Sequence, residues 1–196
     1  MRTSSIFAVV VLVVGSVLVT GPAHAVAPVC CGAVLTADAC LTADLTCSSS
    51  DGVVLTAGVT VDLAGHTLRG AGGGTGVVLP ASGDVTVRRG TVAGWATGLG
   101  VPDTIDPLDG TVTLVGVAVS GSATGVNASA RFGTTGKQHE VVRSVITGNG
   151  AGVAASSSTV HLAGSVLTGN DVGVSAINGD VVAEDARGGE PRRTGL

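Results

Sequence analysis

Apolar residues return along this chain as a triplet, apolar, free, apolar, with a glycine nine residues after the first member. Five copies follow one another. They are Val61-Asp62-Leu63 to Gly70, Val85-Thr86-Val87 to Gly94, Val112-Thr113-Leu114 to Gly121, His139-Glu140-Val141 to Gly148 and Val160-His161-Leu162 to Gly169. Period-two alternation turns the outer members of each triplet to one face of a strand and the middle member to the other. A second inward column trails the first by seven residues: Leu68, Val92, Val119, Ile146 and Leu167.

The segment Ser144-Val145-Ile146-Thr147-Gly148-Asn149 returns as Ser165-Val166-Leu167-Thr168-Gly169-Asn170, an offset of 21 residues. Coil starts fall at Gly52, Gly76, Gly98, Gly125, Gly152 and Gly173, with spacings of 24, 22, 27, 27 and 21. A repeat of this period is the signature of a solenoid. The pattern predicts an all-β parallel β-helix of about six rungs, its narrow core lined by stacked Val, Leu and Ile. Glycines are expected where the backbone turns between faces, often at positive φ. Asn149 and Asn170, each just after such a glycine, suit either αL backbone or a side-chain ladder.

Composition agrees. Of 196 residues 44% are apolar and 32 are glycine, with one Trp, two Phe and no Tyr. Scarce Glu, Lys and Gln disfavour helices. A net charge of −4 points to neither nucleic acid nor an anionic membrane as partner. Residues 1–25 read as a signal peptide: Arg2, an apolar run from Ile6 to Val19, then Ala23-His24-Ala25. No second stretch is apolar and long enough to span a bilayer, so the mature chain is expected in the extracellular space or cell envelope. Residues 26–51 read as an N-terminal cap, 52–183 as the β-helix and 184–196 as a mobile charged tail. Cys30, Cys31, Cys40 and Cys47 crowd into the cap, and an even count there reads as disulfides in an exported chain. Three pairings are open.

Asp62-Leu63-Ala64-Gly65-His66-Thr67-Leu68 resembles a motif of the secreted bacterial right-handed parallel β-helix repeat proteins of the pectate-lyase-like superfamily. Cys31-Gly32 and Asp44-Leu45-Thr46-Cys47 resemble that family's N-terminal cap. The resemblance implies a right-handed β-helix and a Cys31–Cys47 bridge; the remaining Cys30 and Cys40 are expected to form a second. Gly179-Asp180-Val181-Val182-Ala183 resembles the lead-in to the family's closing turn, which Asp185-Ala186-Arg187-Gly188 replaces here. The superfamily includes lyases, hydrolases, epimerases and proteins without known chemistry.

Lyases and epimerases on such a fold need a base beside a cation that neutralises the sugar carboxylate. The middle positions predict an outward column Asp62, Thr86, Thr113, Glu140, His161. It places Glu140 beside His161, with Arg88, Arg89 and Arg143 nearby as carboxylate clamps. The plainer reading, which we favour, makes Glu140 and His161 a surface pair. Gln138-His139-Glu140 resembles part of the Asp-Pro-His-Glu motif of alginate epimerases, yet His139 falls on an inward position. Two rungs carry extra loops, Val101–Gly110 and Ala130–Lys137, and loops on a rigid scaffold often carry function. In the first, Asp103, Asp106 and Asp109 are the candidate Ca2+ ligands. Trp95 is the candidate sugar-stacking aromatic.

These features together suggest an exported scaffold contacting polysaccharide or protein, with a small lyase or epimerase of acidic glycans as the alternative. A third reading is a shortened member of a longer family. The last rung lacks an aromatic turn or helix to cover it. It is therefore expected to be partly exposed and to receive a second copy or a partner protein.

Overall fold

A computed structural model of the chain describes residues 29–48, 51–101, 109–129, 137–185 and 187–188. These form nineteen strands. Every pairing between them is parallel, and among the described residues there is no helix. The chain winds as stacked coils, each contributing to three faces. The first face is a seven-stranded sheet of β1 (Ala33–Leu35), β4 (Val53–Leu55), β7 (Thr75–Val78), β9 (Thr97–Gly100), β11 (Thr124–Asn127), β14 (Ala151–Ser156) and β17 (Val172–Ile177). The second carries β2 (Ala39–Cys40), β5 (Thr60–Asp62), β12 (Gln138–Val142), β15 (Thr159–Ala163) and β18 (Asp180–Glu184). The third carries β3 (Leu45–Thr46), β6 (Thr67–Arg69), β13 (Val145–Thr147), β16 (Val166–Thr168) and β19 (Arg187–Gly188). β8 (Val85–Ala93) and β10 (Thr111–Ser120) run through the corner between these two faces and join them into one twelve-stranded sheet.

Stacking aligns like with like, as the pattern requires. Val53, Val77, Leu99, Val126 and Val153 form one fully buried column, and Val61, Val87, Leu114, Val141 and Leu162 form another. Leu68, Val92, Val119, Ile146 and Leu167 form the third, as expected. A core this narrow has no room for aromatic bulk except at a corner, where Trp95 is buried.

Glycine serves two different needs. Gly94, Gly121, Gly148 and Gly169 stack at one corner with φ of 74°, 63°, 63° and 63°, a left-handed turn that a Cβ would strain. The coil-start glycines have ordinary φ but leave no room for a side chain. A Cβ at Gly76, Gly98, Gly125 or Gly152 would lie 2.5–2.6 Å from the carbonyl oxygen of the glycine in the next coil.

Three expectations change. The cap is itself a coil, because β1, β2 and β3 pair in parallel with β4, β5 and β6. Its tandem, Leu35-Thr36-Ala37-Asp38 and Leu41-Thr42-Ala43-Asp44, supplies two carboxylates to the coil above. Asp38 accepts from Thr60 N at 2.8 Å and Asp44 from Thr67 N at 2.9 Å. The Cys31–Cys47 bridge is present, but Cys30 and Cys40 are free thiols, so the second bridge is not formed. Strand structure also passes residue 183: β18 reaches Glu184, and Arg187–Gly188 pairs with β16. Residues 189–196 and the segment 1–25 read above as a signal peptide lie outside the described residues, as do Asp103 and Asp106.

Candidate functional site

The second face holds the predicted pair. Glu140 and His161 occupy adjacent coils in direct register. His161 Nδ1 lies 2.9 Å from Glu140 Oε2, and its Nε2 lies 3.5 Å from Glu184 Oε2 in the following coil. Three consecutive coils thus place carboxylate, imidazole and carboxylate in a row. Hydrogen bonding to Glu140 raises the His161 pKa, and the second carboxylate adds to it. Such a histidine keeps its proton to higher pH than a free imidazole does. It suits an acid or a cation better than a neutral-pH base.

Asp62 does not stand in that column. Register places Thr60 there, because Asp62 pairs with Arg88 and Thr60 with Thr86. Between Val61 and Leu68 the chain spends two residues more than β8 spends between Val87 and Val92. The surplus makes a turn at Ala64-Gly65, both at positive φ. Asp62 ties it by accepting from Ala64 N at 2.9 Å. Although 4% exposed, the carboxylate is neutralised by Arg88 Nε at 3.0 Å and by Arg89, which donates to both its oxygens. The Arg89 hydrogen bonds hold the Asp62 pKa below its ordinary value. His66, in the same motif, meets Asp44 at 3.3 Å.

The arginines therefore do not converge on His161. Arg88 lies three coils away, about 14 Å along the axis. Arg89 and Arg143 share a corner column, as expected, both with positive φ and with Gly116 between them. Trp95 is not a stacking platform. It is 2% exposed, and its Nε1 donates to Leu68 O at 3.2 Å. Asp109 accepts from Gly83 N at 3.1 Å. Among the described residues no group of three or more His, Cys, Asp or Glu could hold a metal ion, and no helix is long and apolar enough to cross a membrane.

Two further titratable side chains are buried nearby. Lys137 is buried, its Nζ donating to Gly83 O at 2.6 Å and Asp109 O at 2.5 Å, and desolvation lowers its pKa. His139, two residues on, sits in the apolar column between Val112 and Val160 with Nε2 unpaired, and burial pushes its pKa down to about 4. The inward position was legible in the sequence; the buried lysine was not. Beside them, at the corner between first and second faces, lies a groove of about 210 Å³. Gln138, Ser157, Thr159, Asn178 and Asp180 line it, offering hydroxyls, amides and one carboxylate. Ser157 and Asn178, in adjacent coils, both adopt left-handed backbone there.

Fold and surface define an all-β parallel β-solenoid with a disulfide-stapled first coil. No family model, curated protein or solved structure matches the chain.

Proposed function

We propose that the chain is an exported β-solenoid scaffold that contacts polysaccharide, with the corner groove as the contact point, and that it performs no proton abstraction on uronates. The observation carrying this reading is that four of the five candidate catalytic groups, Glu140, His161, Arg88 and Arg89, are already engaged with one another or with neighbouring carboxylates. His161 is flanked by Glu140 and Glu184, and Arg88 and Arg89 are bound to Asp62. A base for carbon-bound protons needs a neutral imidazole beside a free cation, whereas His161 lies between two carboxylates that favour its protonated form. Support also comes from the groove's side chains, of the kinds that hydrogen-bond sugar hydroxyls. The pectate-lyase-like resemblance and the signal-like N-terminus favour an extracellular or envelope setting with glycans at hand.

The test is retention of the purified chain on immobilised neutral and acidic polysaccharides, beside incubation with soluble uronate polymers. Retention should occur and should fall when Asn178 and Asp180 are both changed to Ala, with no unsaturated product absorbance appearing. Unsaturated product that disappears in His161→Ala would instead establish the lyase alternative. Absence of retention on every polysaccharide would remove the glycan contact.

A further inference from the structure

The corner groove stands in a negative field. One of its walls is a column of Gln138, Thr159 and Asp180, taken from three successive coils in direct register. At one strand spacing per coil this column runs about 10 Å along the axis. All three side chains are exposed, because alternation turns their neighbours His139, Val160 and Val181 inward. The opposite wall comes from Ser157 and Asn178, which follow β14 and β17, and neither strand carries a charged residue.

Two residues further along the first wall's strands stand Glu140 and His161, with Glu184 beyond them. Alternation puts these side chains on the same outer surface as the groove wall. Asp180, Glu140 and Glu184 thus share the outer surface of β12, β15 and β18 with the single imidazole of His161. Three carboxylates against one imidazole leave that surface negative whether or not His161 carries its proton. Among the described residues, the cations around it are turned away or distant. Lys137, next to Gln138, is buried and donates to the carbonyls of Gly83 and Asp109 in earlier coils. Arg143 lies five residues beyond Gln138, roughly 16 Å along the strand and past the screening length of about 8–10 Å. Arg88, two coils below Glu140, is bound to Asp62.

We propose, on the reading of this groove as a polysaccharide contact, that it rejects carboxylated glycans and takes uncharged or amine-bearing ones, with Asp180 setting the preference. An Asp180 oxygen accepts equally well from a sugar hydroxyl or an ammonium. A ligand carboxylate in the same place meets like charge with no cation at hand to neutralise it. At about 5 Å from Asp180 that repulsion disfavours binding roughly fivefold at low salt. The preference runs opposite to the acidic glycans that the lyase alternative would need.

The test measures binding of the full chain to three oligosaccharides of one linkage and length: a neutral hexose, a hexosamine with free amines, and a uronate. At low salt the hexosamine should bind most tightly and the uronate least, with the three converging near about 1 M salt. Asp180→Asn keeps an accepting oxygen and removes the charge. It should strengthen uronate binding about fivefold, weaken hexosamine binding by about as much, and leave the neutral oligomer within about twofold. Arg143→Gln, at the far corner, should move none of the three. If the uronate binds as tightly as the neutral oligomer, or if Asp180→Asn shifts the order no more than Arg143→Gln does, the selectivity is wrong while the glycan contact stands. If none of the three binds, the contact itself is removed, and the selectivity with it.

Discussion

His139 is the residue whose chemistry sits furthest from its surroundings. It occupies a column otherwise made of Val59, Val85, Val112, Val160 and Val181, and its Nε2 finds no partner. Its folded-state pKa of about 4 lies below the ordinary 6.5. The unfolded chain therefore binds the extra proton between those values. Stability from this site is present above pH 6.5 and is lost as pH falls toward 4, by roughly 3 kcal/mol if fully realised. His161 has the opposite sign, because its pKa is raised; its contribution is present below the unfolded value and fades as pH rises through the folded one. His139→Val continues the valine column and removes the orphaned nitrogen. Thermal melts across pH 4–7 should show the variant more stable, with a flatter acid limb than the parent. An unchanged limb would mean the imidazole is not buried uncharged.

At the scale of the element, the repeat segment is explained by its polar ends. Ser144 Oγ accepts from Val117 N at 3.1 Å, and Ser165 Oγ accepts from Ser144 N at the same distance. Asn149 Oδ1 accepts from Ser122 N at 3.0 Å, and Asn170 Oδ1 from Asn149 N at 2.9 Å. Each asparagine also donates backward, Asn149 to Val119 O and Asn170 to Ile146 O. Of the two alternatives the sequence left open, the ladder is the structure found, and the left-handed backbone falls on the neighbouring Gly148 and Gly169. Asn149→Ala would strand a buried N–H and a carbonyl at one corner. That should cost about 2–4 kcal/mol, read as a shift of the urea midpoint with little change in slope. Asn170→Ala has only the coil below to lose and should cost less; an equal cost would argue against a directional ladder.

For the whole molecule, a stack of coils is quasi-one-dimensional, so each coil depends mainly on its neighbours. The Cys31–Cys47 bridge closes a loop with sequence separation 16 around the first coil. Loop-closure entropy predicts a contribution of about 3 kcal/mol, felt locally. Reduction should speed amide exchange in β1, β2 and β3 while leaving β10 and β12 protected. Loss of protection throughout would show instead that the solenoid unfolds as a single unit. Free Cys30 is exposed beside this bridge, so the measurement should be made at acid pH, where thiolate exchange is slow.

Much of this architecture was determined by the sequence alone. Inward columns, coil starts and the Glu140–His161 contact all follow from a period of about one coil combined with alternation of period two, and both are local in the chain. The Cys31–Cys47 pairing followed only from a family resemblance. Tertiary structure alone decided what depends on unequal turns and on burial. The two extra residues at Ala64-Gly65 moved Asp62 out of the His161 column and into the grip of Arg88 and Arg89, because an insertion shifts register without leaving an apolar signature. Trp95 lies inside because a corner, wider than a face, admits an indole. Lys137 is buried because carbonyls from two earlier coils meet its amine, and such long-range hydrogen bonds leave no trace in hydrophobic periodicity.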